Sequence, residues 1–318
     1  MNPAPTYVLN RDSATGRALR RWQALESELR RRDLLGPVLR PASRTETISL
    51  AAQARLTSPL VVAVGGDGTV ADVLTGLSLH PGTPRLAILP LGTGNDAARM
   101  LGIRSPRHAL DALEQGLSRP LDAIQLTTGV GSQRDTRLGL VVAGAAFAAE
   151  LLRHTSPAAK RWLGGPLAYA LGFFRALRHF HSPHLRMSLD GQLIVQPTPA
   201  LVCANATTAG GGGMRVAPCA RPDDGLLDVL ILSGLSRWQL AAQFVRLVRG
   251  THLNHPAVRH VHAREIVIEP EVGTQSDGGS AVPMQLDGDL AGAAPAQIRV
   301  LPHHVSVIAL PPSREVRS

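Results

Sequence analysis

The sequence predicts a doubly wound α/β domain followed by a domain made mostly of antiparallel β-strands. Three observations carry the prediction. Up to about residue 121, short apolar runs alternate with stretches of helical periodicity, the pattern of a parallel sheet covered by helices. One of those runs, "LVVAV" (60–64), is apolar at every position, as a strand buried on both faces must be. Beyond residue 121 the runs become short and alternating, with turn residues between them. The expected domains are therefore 1–121 and 122–318, with the C-terminal tail free to return to the first. A chain of 318 residues that is 44% hydrophobic supports two ordinary cores.

"TYVLN" (6–10) reads as the first strand. A polar turn, "RDSATG", leads to a helix from about Ala18 to Arg32 that repeats Leu19, Trp22, Leu25 and Leu29 at helical spacing. "PVLR" (37–40) is a second strand, and Thr47 to Leu56 a second helix. After "LVVAV" a helix begins near Thr69 or Val70 and carries Val73, Leu74 and Leu77. "RLAILP" (85–90) is the next strand, "LGTGND" a loop, and Asp96 to Leu101 a short helix. Ser105-Pro106 has the cap-and-proline form of a helix start, and that helix reaches about Leu117. In the second half, "DAIQLTT", "RLGLVVAGA", "LRMSLDGQLIV", "ALVCANA", "LLDVLILSG", "REIVIEP", "MQLDGD", "QIRVLP" and "VSVIAL" are strand-like. Helical stretches at 156–180 and 236–249 interrupt them, and 271–283 is a Gly/Ser-rich loop. No internal repeat is present.

The formal net charge is +9, almost all of it from arginine, with Lys160 the single lysine. Such a balance suits an anionic partner such as a nucleotide or an anionic membrane surface. Aromatics make up only 3% of the chain, which argues against nucleic-acid binding by base stacking. Cys203 and Cys219 form no C-x-x-C pair, and "MNPAPTYVLN" has no signal-peptide pattern. A reducing cytoplasm is expected, with both thiols buried as small hydrophobes. No apolar run reaches the ~18 residues of a membrane span. Contact with a membrane is therefore expected from one side, at its inner face. Nothing in the sequence sets an oligomeric state.

Two strand–loop–helix units share one design: "LVVAVGGDGTVADVL" and "LAILPLGTGNDAARML". Glycines after a strand let main-chain amides approach a ligand, and the helix start behind them adds partial positive charge, so the pair suits phosphate. Each loop also has an acid (Asp67, Asp96) and a hydroxyl (Thr69, Thr93). The chain has no Walker lysine motif and no G-x-G-x-x-G in the first βα turn. Phosphate charge would then fall to amides, arginines and a magnesium ion that Asp67 and Asp96 help to place.

"GGDGT" (65–69) followed by "PLGTGND" (90–96) resembles the diacylglycerol kinase catalytic family of lipid kinases. "NATTAGGGGMRVAPCARPDDGLLDVLIL" (205–232) is similar to that family's glycine-rich and Asp-Asp-Gly signature, and "MQLDGD" (284–289) stands where it has Asp-Gly-Glu. The resemblance implies a C-terminal β-sandwich and an active site in the cleft between domains. It implies that Gly65, Gly66, Asp67, Gly68 and Thr69 hold ATP phosphates, with Val70 and Ala71 at the helix start. Thr93 and Asp96 come from the second loop, and Asn10 from a turn similar to Asn-Pro-x-Ser-Gly. It implies a magnesium or calcium ion held by the Asp224 side chain and the carbonyls of Arg221 and Leu226. The reaction implied is γ-phosphoryl transfer from ATP to a lipid hydroxyl, with Asp289 as the base and Asp287 as the fallback.

The chain departs from the family at several points. Asp289 replaces glutamate, which shortens the reach by about 1.5 Å. The family's Asn-Glu after GGDGT is Ala71-Asp72. Its Gly-x-Gly-x-Asp-Ala stretch is "GAAFAA" (144–149), so the acid has become Ala148. Ala148 and Asp289 leave open a silent lipid- or nucleotide-binding relative; an NAD kinase, which shares the GGDGT loop, is the other reading, and the Asp-Asp-Gly-Leu-Leu-Asp and Asp-Gly-acid motifs speak against it. "PLAYALGFFRALRHF" (166–180) reads as a lipid-pocket wall, a membrane-facing lid or a core helix, with Arg153, Arg161, Arg175 and Arg178 as candidate head-group contacts. The close sets His179/His181/His184 and His252/His255 are completed by no cysteine or carboxylate at a zinc spacing, so no zinc site is read.

Overall fold

The computed structural model describes residues 4–10, 17–155, 165–271 and 281–310. The turn at 11–16, the first part of the 156–180 stretch and most of the 271–283 loop lie outside these residues. The chain divides into two compact units. One runs up to Leu121 and resumes at His303; the other is Asp122–Pro302.

The first unit is built on a parallel sheet. Thr6–Leu9 (β1) leads through Arg17–Arg31 (α1) to Val38–Leu39 (β2), then Arg44–Thr57 (α2) to Val61–Gly65 (β3). Asp67–Leu77 (α3) follows, then Arg85–Pro90 (β4), Asp96–Met100 (α4) and Pro106–Gln115 (α5). The last strand of the chain, Ala296–Ile308 (β16), closes the order β2-β1-β3-β4-β16. Its residues Ser306 and Val307 run parallel to Arg85 and Leu86. Every residue of β1 and β3 is buried, which explains the uninterrupted apolar run. The strand order reverses at β1, with α1 leading outward to β2 and α3 leading the other way from β3 to β4. Right-handed crossovers then place α1 on one face and α2 with α3 on the other. In such sheets ligands bind beyond the strand carboxyl ends at the reversal, here between β1 and β3.

Caps define the helices as the sequence suggests. Ser105 Oγ accepts from His108 N at 3.2 Å, with Pro106 next in line. Glu46 N donates to Ser43 Oγ at 3.2 Å, starting α2 earlier than Thr47. One helix start differs more: α3 begins at Asp67, inside the glycine motif, rather than at Thr69 or Val70.

The second unit is an antiparallel β-sandwich. Its strands are Ser118–Thr128 (β5, which enters from the first unit), Asp135–Gly139 (β6), Val142–Ala146 (β7), His184–Leu189 (β8) and Gln192–Pro197 (β9). Ala200–Ala204 (β10), Leu227–Leu232 (β11), Val258–Ala263 (β12), Glu265–Pro270 (β13), Pro283–Leu286 (β14) and Asp289–Ala293 (β15) follow. One sheet has the order β12-β11-β10-β7-β14-β15; in the other, β16 pairs with β13 and β5, and β13 with β8. Side chains from both sheets, including Met187, Leu201, Val229, Ile266, Met284 and Ile298, form one buried aliphatic core. Phe147–Arg153 (α6), Gly165–Ala176 (α7) and Arg237–Arg249 (α8) share a second cluster, in which the Phe173 and Phe244 rings stack at 4.3 Å.

Candidate active site

The two glycine loops meet in the first unit. β3 ends at Gly65, Gly66 is the N-cap of α3, and Asp67 is its first residue. The second loop runs from the end of β4 to α4, whose N-cap Asn95 is in the left-handed region at φ 55°. Gly65 O accepts from Leu91 N at 2.9 Å and from Gly92 N at 3.2 Å. A Cβ at Gly92 would overlap the Gly66 Cα and the Asn95 side chain, so glycine here serves main-chain contact. Asn95 closes its own loop: Nδ2 donates to Gly92 O at 2.8 Å, and Oδ1 accepts from Gly92 N at 3.1 Å. Asp67 Oδ1 accepts from Ala97 N at 3.0 Å. The acid of the first motif thereby caps the helix of the second, and one carboxylate locks both loops together.

This geometry sorts the nucleotide residues implied by the resemblance. The first turn of a helix leaves its amides without intrahelical acceptors; here that turn is Asp67-Gly68-Thr69. Val70 is different, since its N–H donates to Gly66 O at 3.1 Å and its side chain is buried in the core. Thr69 is buried, with its hydroxyl against Gly65. Ala71 is half-buried, Thr93 exposed and Asp96 buried at the start of α4. Asn10 follows β1 at the sheet reversal, and its N–H donates to Val64 O at 3.4 Å. Asp72, where the family has glutamate, binds Arg44 Nε at 2.9 Å and ties α3 to α2. Beside the second loop, Arg21, Arg99 and Arg104 line a pocket of about 450 Å³ that Gly92 and Asn95 also border.

The two carboxylates of "MQLDGD" have separate fates. Asp287 and Gly288, at φ 47° and 87°, form the tight turn between β14 and β15, and Leu286 pairs with Asp289. The Asp287 carboxylate is buried and accepts from Leu140 N at 2.7 Å and from Val141 N and Val142 N at 2.9 Å each. A buried carboxylate that accepts from three main-chain amides is a structural anchor. Asp190 does the same in the β8–β9 turn, accepting from Arg264 N and Glu265 N. Asp289 opens β15 and is exposed.

A buried polar network that the sequence reading did not find surrounds this turn. Asp122 is fully buried and its Oδ2 accepts from Gly225 N at 2.6 Å. Asn205, also fully buried, donates to Leu140 O at 3.0 Å and Asp122 O at 3.2 Å. Asn205 Oδ1 is buried without a partner among the described residues. Asn205 starts the quoted glycine-rich motif, and Asp122 lies in the run "DAIQLTT"; neither position reveals its partners locally.

Asp224 lies beside this network in an exposed turn. Its Oδ1 accepts from Leu226 N at 3.1 Å, and Arg221 sits 3.7 Å from Asp223. The turn is held by Asp122 through Gly225, so its main chain is ordered from beneath. One carboxylate with two carbonyls fits a hard cation that keeps several waters. The "GAAFAA" segment spans β7 and α6. Ala146 sits at φ 57°, ψ −124°, where the resemblance implies the second glycine. Ala148 faces Gly144. Two residues on, the buried Glu150 pairs with His154 at 3.1 Å and Arg153 at 3.2 Å.

A parallel sheet with paired glycine loops and an antiparallel sandwich with an Asp-Gly-acid turn define the class of fold. The model of the diacylglycerol kinase catalytic domain matches residues 5–126. That of the YegS C-terminal NAD kinase beta sandwich-like domain matches 139–309, more than half of the chain. The chain belongs to the family of that second model, and its first part matches the diacylglycerol kinase catalytic domain. It is similar to the diacylglycerol kinase of Bacillus subtilis (strain 168), 29% identical over 257 residues that cover 78% of this chain and 77% of that one. It is 28% identical to the diacylglycerol kinase of Staphylococcus aureus (strain JH9), over 79% of this chain and 74% of that one. A solved diacylglycerol kinase structure from Bacillus anthracis str. Sterne shares the fold, with a TM-score of 0.67 at 19% identity over 97% of each chain.

Proposed function

We propose that this protein is an ATP-dependent lipid kinase that transfers the γ-phosphoryl group of ATP to a lipid hydroxyl. The observation that carries the reading is the locked pair of glycine loops at the sheet reversal, held by Asp67 to Ala97 N. The first-turn amides of α3, the main chain around Gly92 and nearby arginines supply a dense set of donors for a triphosphate. Magnesium bound with ATP would neutralise phosphate charge, and the Asp224 turn, with the carbonyls of Arg221 and Leu226, would hold a second hard cation. Asp289 is the proposed base. The acceptor oxygen attacks the γ-phosphorus, its proton passes to the Asp289 carboxylate, and ADP leaves. Asp287 is not the base in this reading, because its lone pairs already serve three main-chain amides.

The lipid partner is supported by two helices of the second unit. α7 exposes Leu167, Leu171 and Phe174 at i, i+4, i+7, and Arg175 and Arg178 continue that side. α8 exposes Trp238 and Val245, with Arg246 and Arg249. Apolar side chains flanked by arginines suit an anionic membrane surface. No helix among the described residues is long and apolar enough to cross a membrane. The proposed location is the cytoplasmic face of the membrane, in phospholipid metabolism, with diacylglycerol-like or sphingoid acceptors.

The test supplies labelled ATP and magnesium with vesicles containing diacylglycerol, a sphingoid base or neither, and in parallel with NAD. Label in a lipid product is the expected result. Label in NAD alone would overturn the acceptor class, and ATP binding without label in any acceptor would favour a silent binder.

A further inference from the structure

A second ligand cluster lies at the opposite end of its sheet from the Asp-Gly turn. Asp228 is on β11, and His260 and His262 are on β12, the edge strand of its sheet. Asp228 pairs directly across from His262, and His260 is the next residue on the same face of β12. The three side chains therefore converge on one side of the sheet. Asp228 Oδ1 is 2.6 Å from His260 Nε2 and 3.5 Å from His262 Nε2. One ligand atom from each residue lies within 4.8 Å of the others. Asp228 is buried, His260 is partly covered and His262 is exposed, so the cluster opens to solvent through His262.

We propose that Asp228, His260 and His262 form a binding site for a borderline divalent transition-metal ion, zinc foremost. Two imidazole nitrogens aimed at one carboxylate oxygen make the donor set that zinc and its neighbours take, whereas magnesium and calcium select oxygen. In a tetrahedral zinc site with bonds of about 2.0–2.1 Å, neighbouring ligand atoms stand about 3.3 Å apart. The His262 separation already matches. The His260 contact, at 2.6 Å, opens by about 0.7 Å to admit the ion. Both histidines would bind through Nε2, and water completes the shell on the exposed side. The ion would staple the open edge strand β12 to β11, its one neighbouring strand among the described residues. This site stands independently of the kinase reading.

The experiment uses the full chain with any affinity tag cleaved off, stripped with EDTA and dialysed. Zinc chloride is the probe, followed by calorimetry and by metal analysis after gel filtration, in millimolar magnesium. A single zinc ion per chain is expected, not displaced by magnesium. His262→Gln is the primary variant, because its side chain is exposed. Zinc affinity should fall by more than the roughly ten-fold that loss of even a ligand's hydrogen-bond partner costs. The His260→Gln/His262→Gln pair should bind no zinc, and cobalt(II) should lose its visible tetrahedral bands in both variants. Absence of zinc from the wild type, or unchanged zinc affinity in His262→Gln, overturns the proposal. Kinase activity plays no part in either outcome.

Discussion

Two aspartates two positions apart, Asp287 and Asp289, are chemically identical in sequence and opposite in circumstance. Asp287 presents its oxygens to three amide donors inside the protein. An asparagine there would keep one acceptor and turn an NH₂ group toward those donors. We expect Asp287→Asn to destabilise the fold by about 1–3 kcal/mol, as leaving a buried donor unmet does, measured by denaturant unfolding. Asp289 is exposed, so Asp289→Asn should change stability by less than about 0.5 kcal/mol. Turnover should fall about 10²–10⁴-fold, the range of a lost general base, while titrations still show ATP binding. Wild-type turnover in Asp289→Asn would remove it as the base. Ala146 offers a third test at this scale. Its φ of 57° with ψ of −124° is a region costly to any side chain but glycine's. Ala146→Gly should raise stability by about 1 kcal/mol, read as an increase in Tm.

At the scale of elements, the glycine loops show how glycine acts beyond its local cost. Helix propensity argues against starting α3 among glycines, and periodicity alone puts the start at Thr69 or Val70. The helix starts at Asp67 because Gly66 takes the N-cap and because the Asp67 carboxylate is held across the loops by Ala97 N. That bond joins residues thirty positions apart, beyond any local signal. For Gly92→Ala we expect the loops to part, since the added methyl has nowhere to go but into Gly66 and Asn95. ATP affinity should drop by at least about ten-fold, roughly 1.4 kcal/mol, in a calorimetric titration. A similar long-range effect divides "RLGLVVAGA". It reads as one strand, yet β6 ends at Gly139 and β7 starts at Val142, because the intervening amides turn to Asp287. "LRMSLDGQLIV" and "MQLDGD" likewise read as single strand-like runs, yet Asp190-Gly191 and Asp287-Gly288 break them with the positive φ values of tight hairpins.

At the scale of the whole molecule, charge and buried histidines set the response to conditions. His252 is held below its ordinary 6.5 by burial, opposed by its bond to Val216 O, with His260 adding repulsion. His304 is also held down, by burial and by Arg55, and its Nε2 lies 2.8 Å from Ser78 Oγ. Both favour the neutral form when folded. The unfolded chain therefore binds protons more readily as pH falls below about 6.5. Stability is full above that value and declines toward the lower folded-state pKa values. Tm should drop between pH 7.5 and 5, and His304→Gln should flatten part of that slope. The exposed apolar faces of α7 and α8 make a separate prediction. Trp238→Glu should weaken cosedimentation with anionic vesicles several-fold, and high salt should weaken the wild type similarly. Equal binding to zwitterionic and anionic vesicles would count against the arginines.

The sequence by itself determined the fold class, the order of most elements and the family, because these rest on periodicity, caps and motifs that are local in the chain. Only the tertiary structure decided which acid is an anchor and which is exposed, since Asp287 and Asp289 differ solely in what main chain lies opposite them. It alone brought Asp122 to Gly225 and Asn205, and Asp228 to His260 and His262. The histidine sets read in the sequence did not include His260 and His262, whose carboxylate partner comes from a neighbouring strand. Cross-strand register, set by packing of the whole sandwich, places such groups together, and no short window of residues encodes it.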